Sequence, residues 1–276
     1  MRLDAHQHFW KYNPAEYDWI NGEMAVLRRN FLPQDLAPLL ASEGFDGSVA
    51  VQARQSLEET RWLLELSAHN QIIKGVVGWL DLRSPELPAQ LHQFAQNPKL
   101  VGVRHIVQGE PDDEFMLRPE FRRGIASLRD FNLTYDILIY PRQLPAAIKL
   151  VREFPDQRFV LDHIAKPPIA EGRVTPWDRG IQELAQSTNV WCKLSGMVTE
   201  ARWEAWKPVD FRPYLDVVLN TFGPARLMIG SDWPVCTVSA TYHRTMELVS
   251  SFICTLTSNE QESILGGNCA NFYGLK

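Results

Sequence analysis

Eight short apolar, β-branched runs recur along the 276-residue chain, and their spacing constrains the fold more than any other feature. They read "RLDAHQHF", "GSVAVQAR", "KGVVGWLDL", "LVGVRHIV", "LTYDILIY", "RFVLDHIA", "VWCKLSGM" and "RLMIGSDWP", and they start at Arg2, Gly47, Lys74, Leu100, Leu133, Arg158, Val190 and Arg226. The mean step is roughly 32 residues, the length of one strand-plus-helix unit. Most runs are continuously apolar rather than alternating, as parallel strands covered on both faces must be.

The stretches between them suit helices. "LEETRWLLELSAHN" sets Leu57, Trp62, Leu63 and Leu66 on one apolar stripe. "LPAQLHQFAQNP" is stopped at Pro98, and "PEFRRGIASLRDFN" opens on a proline suited to a first turn. "PRQLPAAIKLVREFPDQ" and "WDRGIQELAQSTN" repeat the theme. Eight such units predict one α/β domain over residues 1–276, a (β/α)8 or TIM barrel with no linker. One segment breaks the rhythm. Residues 10–35, between the first strand and the first helix, carry Trp10, Tyr12, Tyr17 and Trp19. A loop this long in a compact domain is usually functional.

Charge narrows the function classes. The net charge of −5 argues against nucleic acid as a partner, which calls for a basic surface. No run approaches the ~18 apolar residues of a membrane helix, and no basic-then-apolar leader opens the sequence. Cys192, Cys236, Cys254 and Cys269 lie far apart and form no CxxC, so neither a disulfide framework nor a zinc knuckle is expected. The expected compartment is the cytoplasm.

In such barrels chemistry sits at the C-terminal ends of the strands. Those ends offer His6 and His8, Gln52 and Arg54, Trp79 and Asp81, Arg104 and His105, Asp136, Asp162 with His163 and Lys166, Lys193 with Ser195, and Ser231, Asp232 and Trp233. A lone strand-end histidine is more often a satisfied polar residue than a catalyst. The HxH pair is different, because period-two alternation turns both imidazoles inward on one point. Asp232 in "GSDWP" reads as a turn aspartate or as a functional carboxylate facing His6 and His8 across the closing seam. His69, His92 and His243 fall on helices and read as surface residues. Trp10, Trp19 and Trp233 are placed to line a pocket. No GxSxG elbow and no glycine-rich phosphate loop is present.

The set "DAHQH", His163 and "GSDWP" resembles the amidohydrolase superfamily, and "GNCANFYGL" is similar to that family's terminal helix motif. "DAHQHFW", "GVRH" and "LDHIAKP" resemble its sugar-lactone lactonase branch, which includes L-fuconolactone and L-rhamnonolactone hydrolases and is related to 2-pyrone-4,6-dicarboxylate lactonases. The resemblance spans essentially the whole chain. It departs from the binuclear members at two points. Where they bridge two ions with Lys or Glu on the fourth strand, this chain has Arg104 and His105, and Asp136 replaces the fifth-strand histidine. Arginine is permanently cationic and does not ligate. The resemblance therefore implies at most one divalent ion, zinc by ligand preference, held by His6, His8, Asp232 and His163, and it is equally compatible with a metal-free mechanism.

The activity implied is hydrolysis of a small-molecule sugar lactone to its aldonic acid. Asp232 would activate the water, with His6, His8 and His163 polarising the carbonyl directly or through the ion. Arg104, His105, Gln52, Trp10, Trp19 and Trp233 would bind substrate. Three rivals stand beside this reading. One is a metal-dependent decarboxylase of the same superfamily, and another is a hydrolase of a dicarboxylate lactone using Arg54, Arg104 and Arg142. The third is a barrel that binds a sugar acid without turning it over.

Overall fold

A computed structural model describes residues 1–276. Eight parallel strands form one sheet in chain order: β1 (Leu3–Gln7), β2 (Gly47–Val51), β3 (Ile73–Gly78), β4 (Leu100–His105), β5 (Thr134–Ile137), β6 (Phe159–Leu161), β7 (Val190–Leu194) and β8 (Leu227–Ile229). The seam between first and last strand is drawn shut by a parallel bridge between Gln7 and Trp233 and by bonds from His8 N to Trp233 O (2.7 Å) and Asp232 N to His6 O (2.8 Å). The result is a (β/α)8 barrel. One helix follows each strand: α1 (Pro33–Ser42), α2 (Leu57–His69), α3 (Leu87–Phe94), α4 (Pro119–Leu128), α5 (Leu144–Glu153), α6 (Trp177–Leu184), α7 (Pro208–Phe222) and α8 (Tyr242–Ile253). Two short ones, α9 (Ser258–Glu262) and α10 (Asn268–Tyr273), end the chain. No helix is long and apolar enough to cross a membrane.

Local chemistry sets the helix starts. Proline stands in the first turn of α1, α3, α4, α5 and α7, where its missing N–H costs nothing. Ser56 Oγ caps α2 by accepting from Glu58 N and Glu59 N. The helix in "LPAQLHQFAQNP" ends at Phe94, four residues before Pro98, so the proline stands beyond the stop rather than at it.

The barrel interior is built in storeys. Leu3, Ala5, Val49, Val51, Val77, Val101, Val160 and Met228 come from six strands and pack with Cys269, Phe272 and Tyr273 of α10. Side chains from so many strands meet only inside the barrel, so α10 plugs its lower end. Above this apolar plug the interior is charged. The tie of Trp10 to Phe31 (N–O 3.0 and 2.9 Å) closes the base of the long loop, whose residues Trp10, Tyr17, Ile20, Leu27 and Phe31 form a small core of their own.

Candidate active site

Four charged side chains occupy the middle of the barrel, all almost fully buried: Arg104, Asp136, Asp162 and Lys193. Lys193 Nζ reaches Asp136 Oδ2 (2.6 Å) and Asp162 Oδ1 (3.0 Å), and Arg104 Nη1 reaches Asp162 Oδ2 (3.0 Å). The Tyr273 hydroxyl of α10 donates to Asp136 Oδ2 (2.8 Å). Two carboxylates meet two cations, so the layer is neutral as a whole, which is what makes burying it tolerable. Burial alone would raise the Asp162 carboxyl, but Lys193, His6 and Arg104 outweigh it and hold it well below the usual range. Asp136 is raised by burial to about 6 despite Lys193.

On this layer stands the cluster. His6 Nε2 and His8 Nε2 lie 3.2 Å apart. Asp232 Oδ1 lies 3.3 Å from His8 Nε2 and 3.9 Å from the Nε2 atoms of both His6 and His163. The His6 and His163 rings are 4.4 Å apart. Sequence positions 6, 8, 163 and 232 thus converge, all of them buried.

The backbone is bent to make this happen. His163, Ile164, Ala165 and Lys166 all have φ between 49° and 60°, a left-handed turn built from non-glycine residues, and Asp232 has φ 57°. Each such residue costs roughly 1–2 kcal/mol, so the turn persists only because its surroundings fix it. One fixture is Gly196. A Cβ there would come within 2.4 Å of His163 Nδ1, and its own φ is +61°. The His163 ring leans over that glycine and bonds Ser195 Oγ through Nδ1 (2.9 Å). Asp232 is fixed by its neighbour. Ser231 gives both its N–H (2.9 Å) and its hydroxyl (2.6 Å) to Asp4, which also accepts from Tyr242 (3.2 Å).

Hydrogen-bond partners assign the protons. His8 Nδ1 lies 2.8 Å from the carbonyl of Val51, which only accepts, so Nδ1 carries the proton and Nε2 of neutral His8 is a lone pair. Arg104 Nη1, which only donates, faces His6 Nε2 at 3.2 Å. That too faces a donor, while His6 Nδ1 lies between Asp162 Oδ1 (3.3 Å) and Lys193 Nζ (3.2 Å). Burial holds neutral His6 well below its usual pKa and brings His163 down to about 4 against the pull of Asp232 and Asp162. Burial would raise Asp232, but His163, His8 and His6 outweigh it and the carboxyl stays ionised. Two imidazole nitrogens and a carboxylate oxygen therefore face one another across one small space, with His8 Nε2 within hydrogen-bond reach of Asp232 Oδ1 (3.3 Å).

That donor set fits a cation. Two ligands about 2.0–2.1 Å from one ion at the tetrahedral angle stand roughly 3.3–3.4 Å apart. The separations among His6, His8 and Asp232 run from 3.2 to 3.9 Å, and these three side chains could hold one ion. His6, Asp162 and His163 form a second such group. The bonds from His8 to Val51 and from His163 to Ser195 are the outer-shell contacts that orient ligating imidazoles.

Other residues singled out by sequence fall elsewhere. Arg104 and Gln52 do meet, since Nε (3.3 Å) and Nη2 (2.9 Å) of the guanidinium donate to Gln52 Oε1 while Gln52 Nε2 is left without a partner. His105 is displaced from the cluster. Because Arg104 faces the interior, its neighbour faces outward, stacked on Phe115 at 4.8 Å and bonded to Glu110 (2.7 Å). Trp10 is likewise not brought to the cluster; it is fully buried in the loop's own core, and its N–H is spent on Arg29 O (3.0 Å). Trp19 lies edge-on to Trp10 with 38% of its surface exposed, and Trp233 packs against Phe31 and Phe9. Arg54 pairs with Glu16, and the half-exposed Arg142 pairs with Asp113. His69, His92 and His243 are exposed.

Asp4, Asp162 and Lys193 carry more of the site than the sequence reading assigned them. The available signal was a charged residue inside a continuously apolar strand, which must find a buried partner.

Comparison with known proteins follows the same lines. The family model described as amidohydrolase matches residues 3–275. The chain is 41% identical to an L-fucono-1,5-lactonase of Burkholderia multivorans, covering 100% of this chain and 96% of that protein. It is 37% identical to an L-fucono-1,5-lactonase of Burkholderia ambifaria, covering 99% and 95%. A crystal structure of an amidohydrolase from Burkholderia multivorans with bound zinc superposes with a TM-score of 0.97 at 41% identity, both chains being fully covered.

Proposed function

The chain belongs to the amidohydrolase family, and from that premise we propose that it hydrolyses a sugar lactone, with L-fucono-1,5-lactone as the first substrate to test. The reading is carried by one observation: full-length similarity to two L-fucono-1,5-lactonases in a chain whose strand ends bring an ionised carboxylate against three imidazoles.

In this proposal Asp232 takes a proton from the attacking water. It is ionised at every working pH, and a positioned base of this kind contributes typically ~10²–10⁴-fold. His163 flanks the carbonyl and steadies its developing negative charge, and His6 and His8 would do so through a cation held at their lone pairs. When the ring opens, Asp232 returns the proton to the alkoxide, so water is split between the acyl carbon and the leaving oxygen. Arg104 is held by Asp162 and Gln52 and acts as the positive floor of the site. His6, His8 and Asp232 would hold one divalent ion, zinc by ligand type, and that ion would supply further positive charge to the carbonyl oxygen. Arg104 Nη1, which faces His6 Nε2 at 3.2 Å, would have to move aside for His6 to serve as a ligand.

A pH-indicator screen of aldonolactones tests the reading, because each hydrolysis releases a proton. Opening of L-fucono-1,5-lactone well above its rate in buffer is expected. A protein that accelerates no lactone of the panel is not a lactonase.

A further inference from the structure

At the end of the turn that carries His163 lies a cavity of about 420 Å³, walled among others by Tyr140, Lys166, Glu171, Arg173, Trp177 and Glu200. Its size is that of a small-molecule site. Lys166 Nζ and Glu200 Oε1 pair at 3.1 Å, with 14% and 20% of their side chains exposed. Lys166 ends the left-handed turn that begins at His163, and Glu200 follows the Ser195–Gly196 step on which the His163 ring rests. The pair is therefore fixed to the same frame as the cluster. Burial would lower the Lys166 ammonium, but Glu200 and then Asp232 raise it further, so it is a cation within the field of Asp232.

We propose that Lys166 and Glu200 form a polyol subsite, a donor and an acceptor that grip neighbouring ring hydroxyls of the lactone while its carbonyl meets the cluster. The inference rests on the lactonase reading and adds the groups that would recognise the sugar. Three observations carry it. First, the pair has unused capacity. An ammonium has three N–H groups and Lys166 spends one on Glu200, while Glu200 Oε1 takes Lys166 and the Thr199 hydroxyl (3.4 Å) and leaves Oε2. Second, the charges lining the cavity cancel. Lys166 is matched by Glu200 and Arg173 by Glu171, which suits a neutral polyol and not an anionic dicarboxylate. Third, the Tyr140 ring stands 5.8 Å from Lys166 Nζ with 37% of its surface exposed, an aromatic wall for the apolar edge of a sugar.

Kinetics and calorimetry on the full chain test this together. Lys166→Met and Glu200→Gln should each raise KM for L-fucono-1,5-lactone about tenfold or more while kcat moves less than about threefold, and Lys166→Arg should recover part of the loss. Binding of L-fuconate, the ring-opened acid, should weaken by a similar factor in calorimetry. Unchanged KM and unchanged fuconate affinity in both variants would overturn the subsite, as would a fall in kcat with KM intact. The binding arm separates the two claims. A native protein that binds fuconate through Lys166 and Glu200 but opens no lactone keeps the subsite and loses the lactonase reading. Native hydrolysis with indifferent variants does the reverse.

Discussion

Asp232 and His163 both sit in left-handed backbone, and the strain there is what aims their side chains at one point. Gly196 is the residue that allows it. Gly196→Ala should push the His163 ring off its seat, because the new Cβ has 2.4 Å where it needs more than 3 Å. The expected result is a folded protein with a lactonase kcat/KM reduced ~10-fold or more and a Tm lowered by several degrees. Unchanged kinetics would show that the His163 position is not used. A second prediction concerns the three facing acceptors. The native chain should bind about one zinc, and His8→Ala should lose that zinc by metal analysis, because it removes one ligand of a three-residue set. Equal zinc in both proteins would place the ion elsewhere. Much of this site was legible in the sequence. The residues His6, His8, His163 and Asp232 are polar groups at the ends of apolar runs, and barrel topology alone brings strand ends together. His105 and Trp10 were not legible in the same way. Which face of a strand a residue takes, and whether a loop tryptophan lines a pocket or fills the loop's own core, depends on packing that no local pattern records.

At the scale of elements, the long loop and the β2–α2 connection are tied by a buried carboxylate. Glu59, in the first turn of α2, accepts from Ala53 N (3.0 Å) and Arg54 N (2.8 Å), and the Tyr17 hydroxyl of the loop donates to it (3.4 Å). Burial raises Glu59 to about 7 in spite of those backbone N–H groups. The folded chain therefore holds a proton between about pH 4.5 and 7 that the unfolded chain has released. Stability from this group is present at low pH and is lost as pH rises through 7. Glu59→Gln should flatten the fall in Tm between pH 5 and 8 that the native protein shows; superimposable Tm–pH curves would contradict it. The eight strands and the helices α2 to α6 were legible because spacing and periodicity survive in the sequence. The tie was not, since Tyr17 and Glu59 are 42 residues apart and nothing local links them.

For the molecule as a whole, the barrel works as a stack. Apolar side chains and α10 close the lower end, a charge-balanced layer of Asp136, Lys193, Asp162 and Arg104 fills the middle, and the imidazoles with Asp232 occupy the top. Each storey is the support of the next, as Tyr273 bonds Asp136 below and Asp162 bonds His6 above. Opening of a lactone at this top storey would depend on Asp232 as base. The direct measurement is turnover of L-fucono-1,5-lactone in a pH-stat by the native chain and by Asp232→Asn, with L-fuconate affinity measured alongside. Loss of a positioned base predicts a kcat reduced ~10²–10⁴-fold with fuconate affinity kept within a few-fold. Native-like turnover by Asp232→Asn, or a native chain that opens the lactone no faster than buffer does, would contradict it.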